Sequence, residues 1–461
     1  MLFMKSMIKY IFALLLLMPL LAGCRIYSSY KRPDVQVSDS IFRQPVLSDD
    51  STSMASISWK VLFTDSLLQG LIQRGLDNNT DVRVAYLKVQ EAEATLTASK
   101  LAYLPSVSFT PEGGISSFNG AEPSMTYSLA ASASWEIDLF GKLRNAQKGA
   151  KAALMQTQAY SQAVRTQLIA TIADSYFSLL MLDEQLRVSE QTVENWADYV
   201  NTLEMLKEYG SVDQVAIAQA KASKLSVEAS ILTLKQQIQA VENSLCALLG
   251  DVPGPIVRTS LSEQVFDAQI STGIPLQLLR NRPDVQQAEW VLAQAFYATN
   301  EAYSAFYPSV SLSGLAGWTN SGGGVIVNPA GWLLNAVASL VQPLFNRGTN
   351  MARLKISKAQ QEEALLLFQQ SILDAGVEVN DALSQWQTAQ QRLVLDKQQI
   401  QSLSSALNDT ELLMEYGTTN YLEVLIAQQN LLQAELTEVQ DRFNEIQGVV
   451  NLYHALGGGV Q

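Results

Sequence analysis

The 461-residue chain has very few of the side chains from which catalytic and metal sites are most often built. It contains one histidine, His454, and two cysteines, Cys24 and Cys246. A Ser-His-Asp triad needs a histidine, and structural zinc sites take several histidine or cysteine ligands. We therefore expect no enzyme activity, no metal site and no bound cofactor.

Positive charge is also scarce. The chain has 31 Lys and Arg against 44 Asp and Glu, a formal net charge of −13, and no basic stripe. Binding to nucleic acid requires clustered Lys and Arg that displace counterions from phosphates. The charge balance therefore excludes nucleic acid as an expected partner.

Proline is absent between Pro123 and Pro253 and again after Pro343, and Lys151 to Tyr209 also lacks glycine. An interior proline breaks a helix, so these windows allow very long helices. A helix that begins near Lys142 and ends at Tyr209 would be about 100 Å long at about 1.5 Å per residue. A compact globule cannot contain such a helix.

Apolar side chains recur every seventh residue along these segments. In the second half, one set is Leu365, Ile372, Val379, Trp386, Leu393, Ile400, Leu407 and Met414, and its partner set is Phe368, Ala375, Ala382, Ala389 and Leu403. In the first half, the corresponding set is Ile172, Leu179, Leu186, Val193 and Val200. A sustained period of 3.5 residues predicts coiled-coil packing.

The chain is duplicated. Residues 78–108 align without a gap to residues 281–311, and "EYGSVDQVAIAQ" at Glu208 is repeated as "EYGTTNYLEVLIAQ" at Glu415. Each glycine interrupts an otherwise unbroken helical pattern. We therefore predict that each EYG joins two antiparallel helices, once per half.

Strand patterns lie between the helices. Residues 104–141 contain two short strand-like stretches, and in the second of these apolar residues from Tyr127 to Trp135 alternate with Ser and Ala. The second half offers two more, in "PSVSLSGLAGWTN" and "GWLLNAVASLVQPLF". One apolar face with Trp near its ends is typical of a transmembrane barrel, and the alternative is a solvated periplasmic hairpin. Four strands cannot close a barrel, and an open edge cannot lie in lipid, so several chains would have to share one.

The N-terminus predicts export. Two lysines precede the apolar run "IFALLLLMPL", and "LAGC" follows it. The tetrad resembles a bacterial lipobox, in which Cys24 is acylated. The next residue is Arg25 rather than Asp, which resembles the bacterial lipoproteins that are sorted to the outer membrane. The alternative is an ordinary signal peptide that happens to contain a cysteine.

These features divide the chain into five predicted segments. They are a signal peptide (1–23), a lipidated segment with a periplasmic wrap (24–62), a first repeat (63–252), a linker (253–280) and a second repeat (281–461). Each repeat is predicted to contain a helix, two strands and a long helical hairpin.

Three further motifs carry a family resemblance: "YKRPDV" after the cysteine, "WEIDLFGKLRNA" at the first strand-to-helix junction, and "LLRNRPDVQQAE" at the start of the second half. With the lipobox and the hairpins, the chain resembles the lipoprotein branch of TolC-like outer-membrane efflux proteins. The resemblance implies a homotrimer with a 12-stranded β-barrel and a 12-helix periplasmic α-barrel.

The resemblance also implies location, partners and function. It implies a channel in the outer membrane of a Gram-negative bacterium, anchored by a covalent lipid on Cys24 and surrounded by outer-membrane lipid. A periplasmic adaptor and an inner-membrane pump would deliver drugs, toxic organics or metal ions, which the channel would export passively. An exit duct for protein secretion and a lipid-anchored coiled-coil scaffold without a pore remain as alternatives.

The second EYG tip is the expected gate. Leu422, Glu423 and Ile426 follow its turn, and a three-fold axis would turn each into a ring. Similar family members often carry carboxylates at the positions of Glu423 and Ile426, so Ile426 is a departure. Alternatively, Glu423 is only a solvated charge favoured by the helix dipole.

The first tip is expected to have a different role. Gly210 and Gly417 mark the two turns, and Asp213 in the first hairpin is expected to be a helix cap or an adaptor contact rather than a gate.

Overall fold

The structure is a computed structural model that describes residues 27–33, 58–117, 119–264, 266, 282–319 and 332–459. The predicted signal peptide and Cys24 lie outside the described residues. Within the described ranges, none of the helices has the length and hydropathy needed to cross a membrane.

Eight α-helices and four strands make up the described part of the chain. The helices are α1 (Trp59–Leu62), α2 (Ser66–Asn78), α3 (Thr80–Leu101), α4 (Lys142–Glu208), α5 (Gln214–Leu249), α6 (Pro283–Ser304), α7 (Thr349–Glu415) and α8 (Tyr421–Ala455). The strands are β1 (Ser106–Ser116), β2 (Ser124–Ile137), β3 (Ser309–Thr319) and β4 (Trp332–Val341). A short 3₁₀ turn spans Leu261–Glu263.

The two long helices are confirmed. Helices α4 and α7 each contain 67 residues, and each ends at the Glu of its EYG motif, Glu208 or Glu415. Because the two helices are equally long and end at equivalent residues, every position in α4 has a counterpart 207 residues later in α7.

Each long helix pairs antiparallel with the helix that follows its turn, as the EYG motifs predict. Side chains far from the turn on one helix meet side chains equally far from it on the other. The joined pairs are Lys221 with Glu204 (2.6 Å) and Lys235 with Glu190 (3.0 Å) in the first hairpin, and Gln385 with Gln447 (3.0 Å) and Gln390 with Glu445 (3.5 Å) in the second.

The four strands form one antiparallel sheet in the order β1-β2-β3-β4. Because side chains alternate along a strand, the register places most of the large apolar residues on one face and most of the serines on the other. On the serine face, Ser108 and Ser132 hydroxyls lie 2.8 Å apart. The exposed apolar face includes Val107, Phe109, Leu129, Trp135, Leu312, Trp318, Leu334 and Leu340. The predicted alternation is therefore confirmed.

The chain divides into two compact units. One takes in the described parts of 1–35, 90–156 and 288–368 and contains the sheet. The other takes in the described parts of 36–89, 157–287 and 369–461 and contains the hairpins. In this second unit, the largest apolar core joins α1, α2, α4, α5 and α8, with Phe63, Ile172, Tyr176, Leu245 and Val450 almost fully buried.

Arg282 of the "NRPDV" motif holds the start of α6 to the end of α8. Its guanidinium is nearly fully buried, donates to the carbonyl oxygen of Ala455 at 2.6 Å, and pairs with Asp284 (2.7 Å) and Glu378 (2.6 Å). Burial and the nearby Arg282 charge lower the pKa of His454, so His454 is neutral at pH 7. The single histidine is therefore a neutral side chain beside the ion pairs of Arg282.

We predict that Arg282→Ala destabilises the protein by roughly 2 kcal/mol, chiefly because it leaves the buried carbonyl of Ala455 without its donor. The two carboxylates are about half exposed, so water can solvate them when the cation is removed. Thermal unfolding of the purified protein would measure the loss. Arg165→Ala, at an exposed position of α4, is the matched control and should leave the midpoint nearly unchanged. Equal midpoints for the two variants would contradict this role for Arg282.

Candidate gate at the hairpin tips

The first tip ends α4 with a left-handed glycine. Gly210 has φ +75°, its N–H donates to the Lys207 carbonyl at 2.9 Å, and the Ser211 N–H donates to the Leu206 carbonyl at 2.9 Å. These two bonds form a Schellman motif, which glycine favours because it lacks a Cβ. Three residues after the glycine, Asp213 caps α5 by accepting from the Ala216 N–H at 3.0 Å.

The second tip repeats this design. Gly417 has φ +69°, and the N–H groups of Gly417 and Thr418 donate to the carbonyls of Met414 (3.0 Å) and Leu413 (2.9 Å). Asn420, again three residues after the glycine, caps α8 by accepting from the Leu422 N–H at 2.9 Å. The repeated EYG is therefore a helix stop, and the cap residue that follows it restarts the chain as a helix.

A small apolar core packs the two tips together. It contains Trp196, Tyr199, Val200 and Leu203 of α4, Ala216, Ile217 and Ala220 of α5, and Val424 and Leu425 of α8. The Tyr199 hydroxyl donates to the carbonyl of Tyr421 at 3.0 Å, and its oxygen lies 3.7 Å from the sulfur of Met414. Burial raises the pKa of Tyr199, so its hydroxyl keeps its proton. Tyr199 thus ties the first hairpin to the first residue of α8.

The three candidate gate residues lie on the opposite side of α8 from this core. Leu422 and Ile426 are 44% and 46% exposed and Glu423 is exposed, whereas Val424 is fully buried. The Thr419 hydroxyl donates to the Glu423 carboxylate. The structure therefore brings Leu422, Glu423 and Ile426 together on one exposed stripe at the start of α8.

Sequence reasoning did not identify Tyr199, which occupies none of the quoted heptad positions. It also missed Tyr209 and Tyr416, which are 84% and 78% exposed at equivalent places in the two turns. Their position in the repeated EYG motif was a signal that they are surface residues, because a residue just before a Schellman glycine lies at the end of its helix.

A groove of about 1440 Å³ runs between α4 and α7, with α8 on its third side. Two cationic side chains, Arg187 and Lys397, line it. Its acidic residues outnumber them and are Glu184, Asp198, Glu411, Glu415, Glu435 and Glu438. Burial raises the pKa of Glu435, with Arg187 opposing the shift. Across the described residues, no three His, Cys, Asp or Glu side chains are placed to hold a metal ion.

Comparisons with known proteins agree with this architecture. The family model described as outer membrane efflux protein matches residues 71–251 and 274–458. The chain is similar to the cation efflux system protein CusC of Escherichia coli O6:H1 (strain CFT073), with 29% identity over 445 residues, 96% of this chain and 97% of that protein. It is also similar to the probable outer membrane lipoprotein SilC of Salmonella typhimurium, with 28% identity over 449 residues, 95% of this chain and 96% of that protein.

A solved structure of CusC, described in terms of folding and transmembrane channel formation, matches with a TM-score of 0.87 at 28% identity. The match covers 95% of this chain and 100% of the CusC chain.

We predict that Tyr199→Phe loosens the second tip, because the Tyr421 carbonyl loses its hydroxyl partner, a change of roughly 1 kcal/mol. Amide hydrogen exchange at residues 421–426 should become about fivefold faster. Tyr209→Phe, which removes an exposed hydroxyl, is the control and should exchange like the unmodified chain. Unchanged exchange in Tyr199→Phe would show that this hydrogen bond does not hold the tip.

Proposed function

Because the chain belongs to the outer membrane efflux protein family, whose members are outer-membrane efflux channels, we propose that three copies of it build one duct that exports small solutes passively. The observation that carries this proposal is the four-stranded sheet, which has one apolar face, one serine-rich face and, within the described part of the chain, two edges without a pairing strand. The predicted mixed architecture, with four strands and long antiparallel hairpins per chain, is confirmed.

The trimer follows from the edges of the sheet. Among the described residues of one chain, β1 and β4 each have a neighbouring strand on one side only. Backbone groups in lipid must all be hydrogen-bonded, so these edges must pair with strands of other copies. Three chains would supply twelve strands, with the exposed apolar residues facing lipid and the serines facing a wet lumen. Acylation of Cys24 would add an anchor to this barrel.

The exposed stripe on α8 supports a gate. Around a three-fold axis, Leu422 and Ile426 would form apolar rings and Glu423 an acidic ring. The hydrogen bond from Thr419 holds the Glu423 carboxylate at the helix N-terminus, where the dipole stabilises the negative charge. Acidic rings favour cations over anions in a narrow passage.

The proposed cargo includes cations, consistent with the carboxylate-rich groove, the net charge of −13 and the name of CusC as a cation efflux protein. The proposed partners are a periplasmic adaptor, which contacts the tips around Gly210, Asp213 and Gly417, and an inner-membrane pump. The channel itself needs no catalytic residue, because the pump would supply the driving force.

The lipid-facing assignment can be tested with neighbouring residues of β2. Ala131 lies on the apolar face and Ser132 on the serine face. Arginine facing lipid near mid-membrane costs about 2–4 kcal/mol, whereas arginine in a wet lumen does not. We expect Ala131→Arg to reduce heat-modifiable trimers in outer membranes and Ser132→Arg to preserve them. Equal effects of the two substitutions would favour a scaffold without a barrel.

The gate can be tested by planar-bilayer conductance. We expect Glu423→Gln to lower the permeability ratio of cations over anions by about two- to threefold, because three ring charges are removed. Glu208→Gln, at the first tip, is the matched control. If Glu423→Gln kept the original conductance and selectivity, Glu423 would be a solvated helix-end charge and not part of a gate.

A further inference from the structure

The apolar seam of α7 is interrupted by one carboxylate. Phe368, Ala375, Ala382, Ala389 and Leu403 share one heptad position, and Asp396 occupies the missing step between Ala389 and Leu403. Asp396 is only 7% exposed. A charge at a core position of a coiled coil destabilises the pairing unless it is compensated.

The first hairpin has no charge at the equivalent place. Ser189 is the counterpart of Asp396 in α4, is 2% exposed, and donates to the carbonyl of Gln185 at 2.7 Å. A serine satisfied by its own helix needs no partner on the facing helix. The buried carboxylate is therefore a property of the second hairpin alone.

A second buried carboxyl group lies on α8, opposite the turn of α7 that contains Asp396. This group belongs to Asp441, which is 4% exposed and is bonded to Arg392, one helical turn before Asp396. Arg392 Nε donates to Asp441 Oδ2 at 2.7 Å, and Asn444 Nδ2 donates to Asp441 Oδ1 at 3.2 Å. The Oδ2 atom of Asp396 is buried without a hydrogen-bond partner. Asp441 thus has donors for a negative charge, and Asp396 has none.

The charged groups around Asp396 and Asp441 favour one bound proton on the two carboxyl groups. Arg392 pairs with Asp441 and acts on Asp396 through its charge, and Glu438 of α8 adds a further negative charge nearby. On α4, across the groove, Glu184 and Arg187 are paired with each other at 2.7 Å, and Lys397 of α7 points to the groove lining. Two buried carboxyl groups that lie close together repel each other when both are charged, which favours a proton on one of them.

We propose that Asp396 and Asp441 form a proton-binding site that ties α7 to α8 when it is occupied and loosens the second hairpin when it is empty. With the proton bound, Asp396 donates to Asp441 and the local charge is balanced by Arg392. Without it, two carboxylates face each other in the seam between the helices. The site makes helix pairing in the second hairpin depend on the pH around it.

The direction of this dependence follows from the surroundings of Asp396. Burial raises its pKa, the neighbouring Asp441 carboxyl group raises it further, and Arg392 opposes the shift. A carboxyl group with a folded-state pKa above its unfolded value stabilises the fold below the unfolded pKa. That stabilisation is lost as the pH rises through the folded pKa. Acid should therefore tighten the hairpin, and higher pH should loosen it.

The test is amide hydrogen exchange of the full chain in its membrane-extracted form, measured at a series of pH values and corrected for intrinsic exchange. In the unmodified chain, the opening constant of residues 389–403 and 436–446 should rise by up to about tenfold per pH unit between the ordinary aspartate pKa and the raised pKa of Asp396. Asp396→Asn, which always carries a donor to Asp441, should abolish this rise.

Asp409→Asn, at an exposed position of the same helix, is the control and should keep the rise. A flat profile in the unmodified chain would overturn the proposal, and so would an unchanged rise in Asp396→Asn. If Asp396→Asn does not assemble, Asp396→Ser supplies the residue found in α4 and must also give a flat profile. Infrared difference spectra should show a titrating carboxylic acid band in the unmodified chain that is missing from either variant.

Helix α8 carries both Asp441 and the stripe of Leu422, Glu423 and Ile426, so it connects the proton-binding site to the proposed gate. This connection rests on the proposed function. Exchange data do not require conduction, so a failed proton site and a failed gate give different results. If the opening constant of the second hairpin depended on pH while the conductance of the channel did not, the proton site would control the stability of the hairpin and not the gate.

Discussion

The pairing of helices along their heptad seams is the interaction on which the rest of the second unit depends. Burying one apolar stripe along α4, α5, α7 and α8 fixes the rotation of each helix about its own axis. That rotation turns Val424 and Leu425 inward, and it leaves Leu422, Glu423 and Ile426 on the surface. The exposed stripe is therefore set by packing several turns away from it.

Much of this fold could be predicted from the sequence because its signals are long and periodic. Missing prolines, a sustained 3.5-residue period and alternating strand residues predicted the helices and the four strands. The repeated glycines predicted both turns, since a left-handed C-cap is a local property of the chain. By contrast, the bonds of Tyr199 and Arg282 join residues that are distant in sequence and leave no periodic trace. Asp396 is visible in the sequence only as an interruption of the apolar heptad series of α7. The sequence does not show that this position faces Asp441.

The two hairpins share one backbone plan but differ in the chemistry placed on it. Both use a Schellman glycine followed three residues later by a cap, Asp213 or Asn420. The first hairpin has Ser189 in its seam, and the second has Asp396. The two copies thus share the positions that determine backbone geometry and differ in where they carry charged side chains. The carboxylates of the proposed gate and of the proposed proton site all belong to the second copy.

The two sheet edges that have no pairing strand among the described residues also affect how the chain can mature. A single copy presents β1 and β4 as templates for any other strand, a known route to aggregation. Pro111 lies within β1 and has no N–H to donate, which weakens that edge as a template for incorrect partners. In the proposed trimer the sheet is complete only when copies meet, so folding and assembly would be one concentration-dependent step. The abundance of the chain, as much as its sequence, would then determine whether a barrel or an aggregate forms.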